Sequence, residues 1–160
     1  VKVSVRPSYL LSYIAIQRSR LSEAQFSERF GGAWLVWEPG TWQPPSKQLT
    51  VTLGASRGPP TAPSQTDALC FSLGETGSFR VGRAPDNDCV VSDATVSRYH
   101  CEILFRDGAW RVRSVDGRLV GLNHRPIPGE TKLSPHDRLY LGDVTLTFED
   151  AFGLTARFKA

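Results

Sequence analysis

The fold turns on residues 78–105: Ser78-Phe79-Arg80-Val81-Gly82-Arg83, then Ala84-Pro85-Asp86-Asn87-Asp88, then Cys89-Val90-Val91, then Ser92-Asp93-Ala94-Thr95-Val96-Ser97-Arg98-Tyr99-His100, running on through Cys101-Glu102-Ile103-Leu104-Phe105. Ser78 to Gly82 and His100 to Phe105 alternate apolar with polar residues or gather β-branched and aromatic ones, as half-buried strands do. The Pro, Asp and Asn between them carry turn chemistry. Two arginines and a hydroxyl, Arg83, Ser97 and Arg98, therefore stand near strand ends within sixteen positions.

The same texture extends in both directions. Ala68 to Leu73, Trp110 to Ser114, Arg138 to Leu141 and Val144 to Phe148 read as further strands. Gly74-Glu75-Thr76-Gly77, Asp107-Gly108, Asp116-Gly117, Pro128-Gly129 and Gly142-Asp143 punctuate them with residues that tolerate positive φ. Six or more short strands with no long helical pattern between them predict an all-β sandwich or barrel over residues 67–150. A tail, 151–160, is expected to fold back as a turn of helix.

Residues 1–43 read as a partly helical N-terminal extension. Ser22 with Gln25 three positions on is a capping box, and Leu21 with Phe26 a hydrophobic staple. About two turns of helix follow, with Phe26 and Phe30 on one face and Gly31 placed for a left-handed C-terminal cap. Trp34-Leu35-Val36-Trp37 then reads as a short strand before the breaker Glu38-Pro39-Gly40. Trp34, Trp37 and Trp42 would form either an exposed platform for a partner or, as we prefer, packing that seats the helix on the neighbouring domain. Residues 44–66, rich in Pro, Gly, Ser and Thr, read as a linker with one possible strand at Leu49 to Leu53; the P-x-x-P from Pro60 to Pro63 reads as stiffness.

At 160 residues the chain suits one domain with an appended segment, and 40% apolar with 22% charged residues excludes collagen, coiled coil and wholesale disorder. It holds no Met, even at position 1, which reads as a chain trimmed at its start or begun within a longer frame. The formal charge of +3 divides unevenly. Residues 1–66 hold seven Lys and Arg against three acids, whereas 67–160 hold twelve against thirteen. The basic surplus belongs to the extension, so anion recognition by the sandwich must come from local convergence of a few side chains. No apolar run approaches the roughly 18 residues of a membrane span, so no membrane partner is expected. Arg18 and Arg20 stand where a secretory cleavage site would need small residues.

Cys70, Cys89 and Cys101 include no close pair, and their odd number favours buried thiols in strands of a reducing compartment over a disulfide. The three histidines, His100, His124 and His136, fit no metalloenzyme motif, and no nucleophile elbow or phosphate-cradling glycine loop is present. The reading is therefore not an enzyme, with no cofactor and no metal. Basic residues are not gathered on a helix or ribbon interleaved with aromatics, which argues against nucleic acid. Taken singly, Arg83 and Arg98 read as solvated charges. Taken with Ser97 they suit a phosphate, whose oxygens guanidinium forks and a hydroxyl satisfy together.

From about Phe71 to Phe148 the chain resembles a forkhead-associated domain. The resemblance rests on Val81-Gly82-Arg83, the acidic turn before Cys89-Val90-Val91, Val96-Ser97-Arg98-Tyr99-His100, and Leu133 to Gly142 leading into Phe148. It implies a two-sheet β-sandwich and a non-catalytic, cytoplasmic module that binds a phosphothreonine-containing protein in Ser/Thr kinase signalling. It assigns the phosphate and peptide to Arg83, Ser97 and Arg98, with Gly82 and His100 as structural support. The family's usual Asn-Gly-Thr-x-Val-Asn-Gly loop is altered. Asn123 fits the second asparagine, whereas Arg118 stands where the first belongs and Asp116 lies two positions earlier. Asp116 would accept a peptide amide and Arg118 would add a phosphate contact, completing the expected site with Asn123. The alternative is a phospho-independent interaction scaffold using the Trp-rich segment or an open sandwich face. A third reading has Thr61 or Thr66, once phosphorylated, occupy the chain's own site.

Overall fold

In chain order the elements are β1 (Ser8–Leu10), α1 (Leu11–Arg20), α2 (Glu23–Phe30), β2 (Ala33–Trp37), β3 (Val51–Thr52), β4 (Leu69–Gly74), β5 (Ser78–Gly82), β6 (Cys89–Val90), β7 (Cys101–Arg106), β8 (Ala109–Ser114), β9 (Gly121–Leu122), β10 (Arg125–Pro126), β11 (Thr131–Lys132), β12 (Arg138–Leu141), β13 (Val144–Asp150) and α3 (Ala151–Ala156). The structure, a computed structural model, describes residues 8–38, 67–74 and 77–157, and the backbone of 51–52. The strands form two sheets, one ordered β10-β9-β12-β13-β2-β4-β1-β3 and the other β11-β8-β7-β5-β6. The all-β class expected from the strand spacing, and the two-sheet sandwich that the resemblance implies, are what the chain forms.

Alternation decides what each face buries. In β2, Ala33, Leu35 and Trp37 point into the core between the sheets, where they join Phe71 and Leu73 of β4, Phe79 and Val81 of β5, Ile103 of β7 and Phe148 of β13. Trp34 and Val36 point the other way, into a second cluster with Tyr13 and Ile14 of α1, Phe26 and Phe30 of α2, Cys70 of β4 and Leu154 of α3. A strand buried on both faces has no polar positions to spare, which is why Ala33–Trp37 is wholly apolar. The helices thus roof the outer face of the larger sheet.

That arrangement alters the place of the extension. β2 pairs antiparallel with both β13 and β4, Trp37 lying opposite Leu146 and Leu69. The sandwich therefore draws on residues before and after the 39–66 segment rather than starting at 67. Trp34 and Trp37 are completely buried, so neither contributes to an exposed platform; Trp42 lies outside the described residues. The linker reading, with Thr61 and Thr66, also falls outside them, apart from β3.

The α2 cap forms as expected. Ser22 Oγ accepts from the Gln25 amide at 3.1 Å and the Ser22 amide donates to Gln25 Oε1 at 2.9 Å. Arg18 and Arg29 lie over the Phe26 and Phe30 rings, 5.5 and 5.3 Å from the centroids, so part of the basic surplus covers the extension's own aromatics. Replacing Ser22 by alanine should lower unfolding stability by about 1 kcal/mol, measured by urea denaturation, while leaving ligand binding unchanged. The expected left-handed cap at Gly31 is corrected: Gly31 is extended (φ −79°, ψ −174°) and the left-handed residue is Gly32, at φ +82°. A Cβ on Gly32 would sit 2.1 Å from the Gly74 carbonyl oxygen, so the chain's entry into β2 sets the glycine's place, not the helix end.

Helix α1 carries no side-chain cap of its own. Its N-cap residue, Leu10, offers no side-chain acceptor, and Asp67 supplies one from 55 residues away: Ser12 N–H donates to Asp67 Oδ1 at 3.0 Å. Cys70, Cys89 and Cys101 are all buried thiols. Burial pushes the Cys70 thiol far up and that of Cys101 up to about 12, which leaves both unreactive.

Candidate functional site

The site begins where β5 ends. Val81 O accepts from His100 N–H at 2.9 Å, Arg83 N–H donates to Ser97 O at 3.0 Å and Ala84 N–H to Arg98 O at 3.1 Å, so segments 81–84 and 97–100 lie side by side. Gly82 permits this approach: a Cβ there would meet the Arg98 carbonyl oxygen at 2.2 Å. Arg83 Nε also donates to Val96 O at 3.0 Å, fixing the base of its side chain.

Two buried side chains brace the loops. Asn87, completely buried, donates through Nδ2 to Ala84 O at 2.8 Å and to Arg98 O at 2.7 Å. His100, only 4% exposed, accepts the Ser97 amide at Nδ1 (3.1 Å) and places Nε2 2.8 Å from Leu119 O. A neutral ring with its proton on Nε2 satisfies both contacts. His100 thus ties the 97–100 segment to the 115–120 loop. Asp93 and Thr95 close a local turn, and Thr95 Oγ1 accepts from the Asp143 amide at 2.8 Å, joining the β12–β13 turn to the same end of the sandwich.

The expected site residues divide into three groups. Arg83 and Arg98 are exposed on the paired segments, and Ser97 is half-buried. Among the described residues neither guanidinium meets a carboxylate. Arg118 and Ser97 line one cleft of about 530 Å³, with Leu119, His124, Arg125 and Tyr140. Asp116 is exposed at φ +52° in the turn after β8 and does not line the cleft. Asn123 is engaged within the protein: Nδ2 donates to Asp137 Oδ1 at 2.9 Å and Oδ1 accepts the Arg138 amide at 3.0 Å. Its amide holds the β9–β10 hairpin against β12.

The bracing role of Asn87 is not legible in the Asp86-Asn87-Asp88 turn, nor are the cleft positions of His124, Arg125 and Tyr140. His124 follows Asn123 where the altered loop pattern has its closing glycine, and the backbone keeps the glycine conformation at φ +72°. Elsewhere the site end carries a surface set in which Tyr99 OH donates to Asp86, with Arg80 5.8 Å from the Tyr99 ring centroid. The hydrogen bond to Asp86 raises the Tyr99 phenol above its ordinary value.

Comparison with known proteins agrees with this architecture. Residues 79–142 match the FHA domain family profile. No curated protein sequence matches the chain. Among solved structures, an FHA domain with phosphothreonine-dependent interactions is 18% identical, covering 73% of this chain and 94% of its own, with a TM-score of 0.51. The FhaA FHA domain, solved in complex with the intracellular domain of Rv3910, is also 18% identical, covering 74% and 100%, with a TM-score of 0.50. The FHA domain of the CT664 protein from Chlamydia trachomatis is 26% identical over 51% of this chain and 84% of its own, with a TM-score of 0.47. The two-sheet sandwich, with the paired Gly82–Arg83 and Ser97–Arg98 segments at one end of it, is thus similar to a forkhead-associated domain, the family whose profile residues 79–142 match.

Proposed function

We propose that the chain is a non-catalytic module that docks a phosphothreonine-containing protein, phosphorylated by a Ser/Thr kinase, in cytoplasmic signalling. The observation that carries this reading is the pairing of segments 81–84 and 97–100. Their backbones hold each other while the Arg83 and Arg98 guanidinium groups and the Ser97 hydroxyl stay without acidic partners among the described residues. A phosphorylated side chain brings about −1.5 to −2 charges and three acceptor oxygens to such a set, and arginine meets them with a rigid fork. Arg83 would support the peptide and its phosphate, and Ser97 and Arg98 would contact the phosphate itself. Arg118 supplies a further cation and Asp116 an acceptor for a peptide amide. Asn123 contributes by holding the hairpin beside the site.

The solved relatives support this: one has phosphothreonine-dependent interactions, and another was solved with a protein partner. Among the described residues no helix is long and apolar enough to cross a membrane, and no group of side chains is arranged to hold a metal. The test is a phosphothreonine peptide library screened on the full chain. At least one peptide should bind, its unphosphorylated form should not, and Arg98→Ala should weaken it about thirtyfold, the scale of lost hydrogen bonds to a charged group. A partner retained after phosphatase treatment, or an Arg98→Ala protein that binds as well as the parent, would sink the proposal in favour of a phospho-independent scaffold.

A further inference from the structure

We infer that the cleft beside Ser97 is a second anion subsite, which takes a carboxylate or a second phosphate carried by the same peptide that presents its phosphothreonine to Arg83, Ser97 and Arg98. The inference rests on the phosphothreonine reading above. It adds to it the class of peptide bound: one with two anionic groups.

The cleft, of about 530 Å³, is lined by Arg118, Arg125 and His124 and by no carboxylate. Four other arginines meet acids. Arg106 and Arg111 face Glu130, Arg113 meets Glu102 at 2.5 Å, and Arg157 meets Glu38 and Glu149 at 2.9 and 3.2 Å. Arg118 and Arg125 have no such partner among the described residues. In a segment, 67–160, with thirteen acids against twelve basic side chains, gathering unneutralised cations on one concave surface concentrates positive potential there.

His124 strengthens the case. It holds φ +72° directly after Asn123 at φ +50°, a backbone that glycine adopts more readily than any imidazole-bearing residue. The ring is kept in place by Tyr140: the centroids are 4.9 Å apart and Tyr140 OH lies 3.1 Å from His124 Nε2. That contact leaves Nδ1 without a partner among the described residues, available to a ligand. The Tyr140 ring and Leu119, whose side chain is largely exposed, give the cleft an apolar wall along which a peptide would run from Ser97 toward Arg125.

The experiment measures fluorescence anisotropy of phosphothreonine peptides on the full chain. One series has neutral flanks; the others carry glutamate or phosphoserine at each flanking position in turn. At one or more positions the added anion should tighten binding about tenfold, the scale of a charge-assisted contact. Arg125→Gln should cut that gain below about threefold while leaving neutral-flank peptides within about twofold of the parent. His124→Gly should also reduce the gain, with the thermal midpoint kept or raised because glycine relieves the backbone. A flat scan with neutral-flank binding intact overturns the second subsite and leaves the phosphothreonine reading standing. A gain that survives in both variants overturns the assignment to this cleft, and failure to bind any phosphopeptide overturns both readings.

Discussion

Gly82→Ala is expected to weaken phosphothreonine-peptide binding at least about a hundredfold, more than the loss of either arginine, and to lower stability by about 1–3 kcal/mol. The added methyl would lie 2.2 Å from the Arg98 carbonyl oxygen, 2.8 Å from its carbon and 3.0 Å from Asn87 Nδ2. None of these is the loose end of a flexible side chain. Neither partner has room to withdraw, because Gly82 O accepts the Val91 amide at 2.8 Å and the Arg98 carbonyl already takes bonds from Ala84 and Asn87. Separation of the two segments breaks those bonds and moves Arg83 and Arg98 apart, and hydrogen bonds to phosphate weaken steeply with misalignment. Gly129→Ala is the control, since a Cβ there meets nothing within 4 Å. Calorimetric titration with a phosphopeptide bound by the parent measures the first effect and urea denaturation the second. Parental affinity in Gly82→Ala would place the phosphate somewhere other than between these segments.

Gly82 also marks how far the sequence carries. The turn between β5 and β6, the strands on either side and the Ser22 cap are local features, written in alternation, turn residues and spacing. Arg83, Ser97 and Arg98 stand out as a set for the same reason. What was not legible depends on residues distant in the chain. Helix α1 has its cap on Asp67, and the glycine that enters β2 is chosen by the Gly74 backbone. Ala33–Trp37 reads as a strand, yet only the pairing with β13 and β4 and the roof of helices explain why it is apolar on both faces. Likewise Asn123 is visible as a residue, while the turning of its amide toward Asp137 and Arg138 is a property of the β9–β10 hairpin folded onto β12. The same fold brings His124, Arg125 and Tyr140 to a cleft with Arg118 and Ser97, across more than forty positions of sequence.

Arg157→Ala should cost about 2–3 kcal/mol of unfolding stability, and the deficit should shrink in acid. Arg157 closes α3 onto the larger sheet: Nη1 and Nη2 fork to Glu38 at 3.0 and 2.9 Å, and Nε donates to Glu149 at 3.2 Å. Glu149 is 3% exposed at its side chain, and its carboxylate sits so close under α3 that a Cβ on Gly153 would lie 2.5 Å from Oε1. His136 Nδ1 lies 2.8 Å from that oxygen, an ion pair when the ring is protonated but off the line of a hydrogen bond. Removing the guanidinium therefore strands a buried carboxylate beside an exposed imidazole. The magnitude sits at or below the low end for broken buried pairs because Arg157 is itself 23% exposed. The pH dependence follows from Glu38. Burial works to raise its carboxyl, but hydrogen bonds from Arg157 and Thr147 and the charges of Arg157 and Arg138 outweigh that and hold it below its ordinary 4.5. A depressed carboxyl contributes stability above the unfolded value, and that contribution is lost as pH falls through the folded one. The parent should thus lose stability below about pH 4.5 faster than Arg157→Ala, narrowing the gap between them. Arg157→Lys, which keeps the charge but not the fork, should fall between the two at neutral pH. Denaturant midpoints at pH 7, 5 and 4 decide it, and a deficit that stays constant or widens with acid would show that Arg157 holds α3 by packing alone.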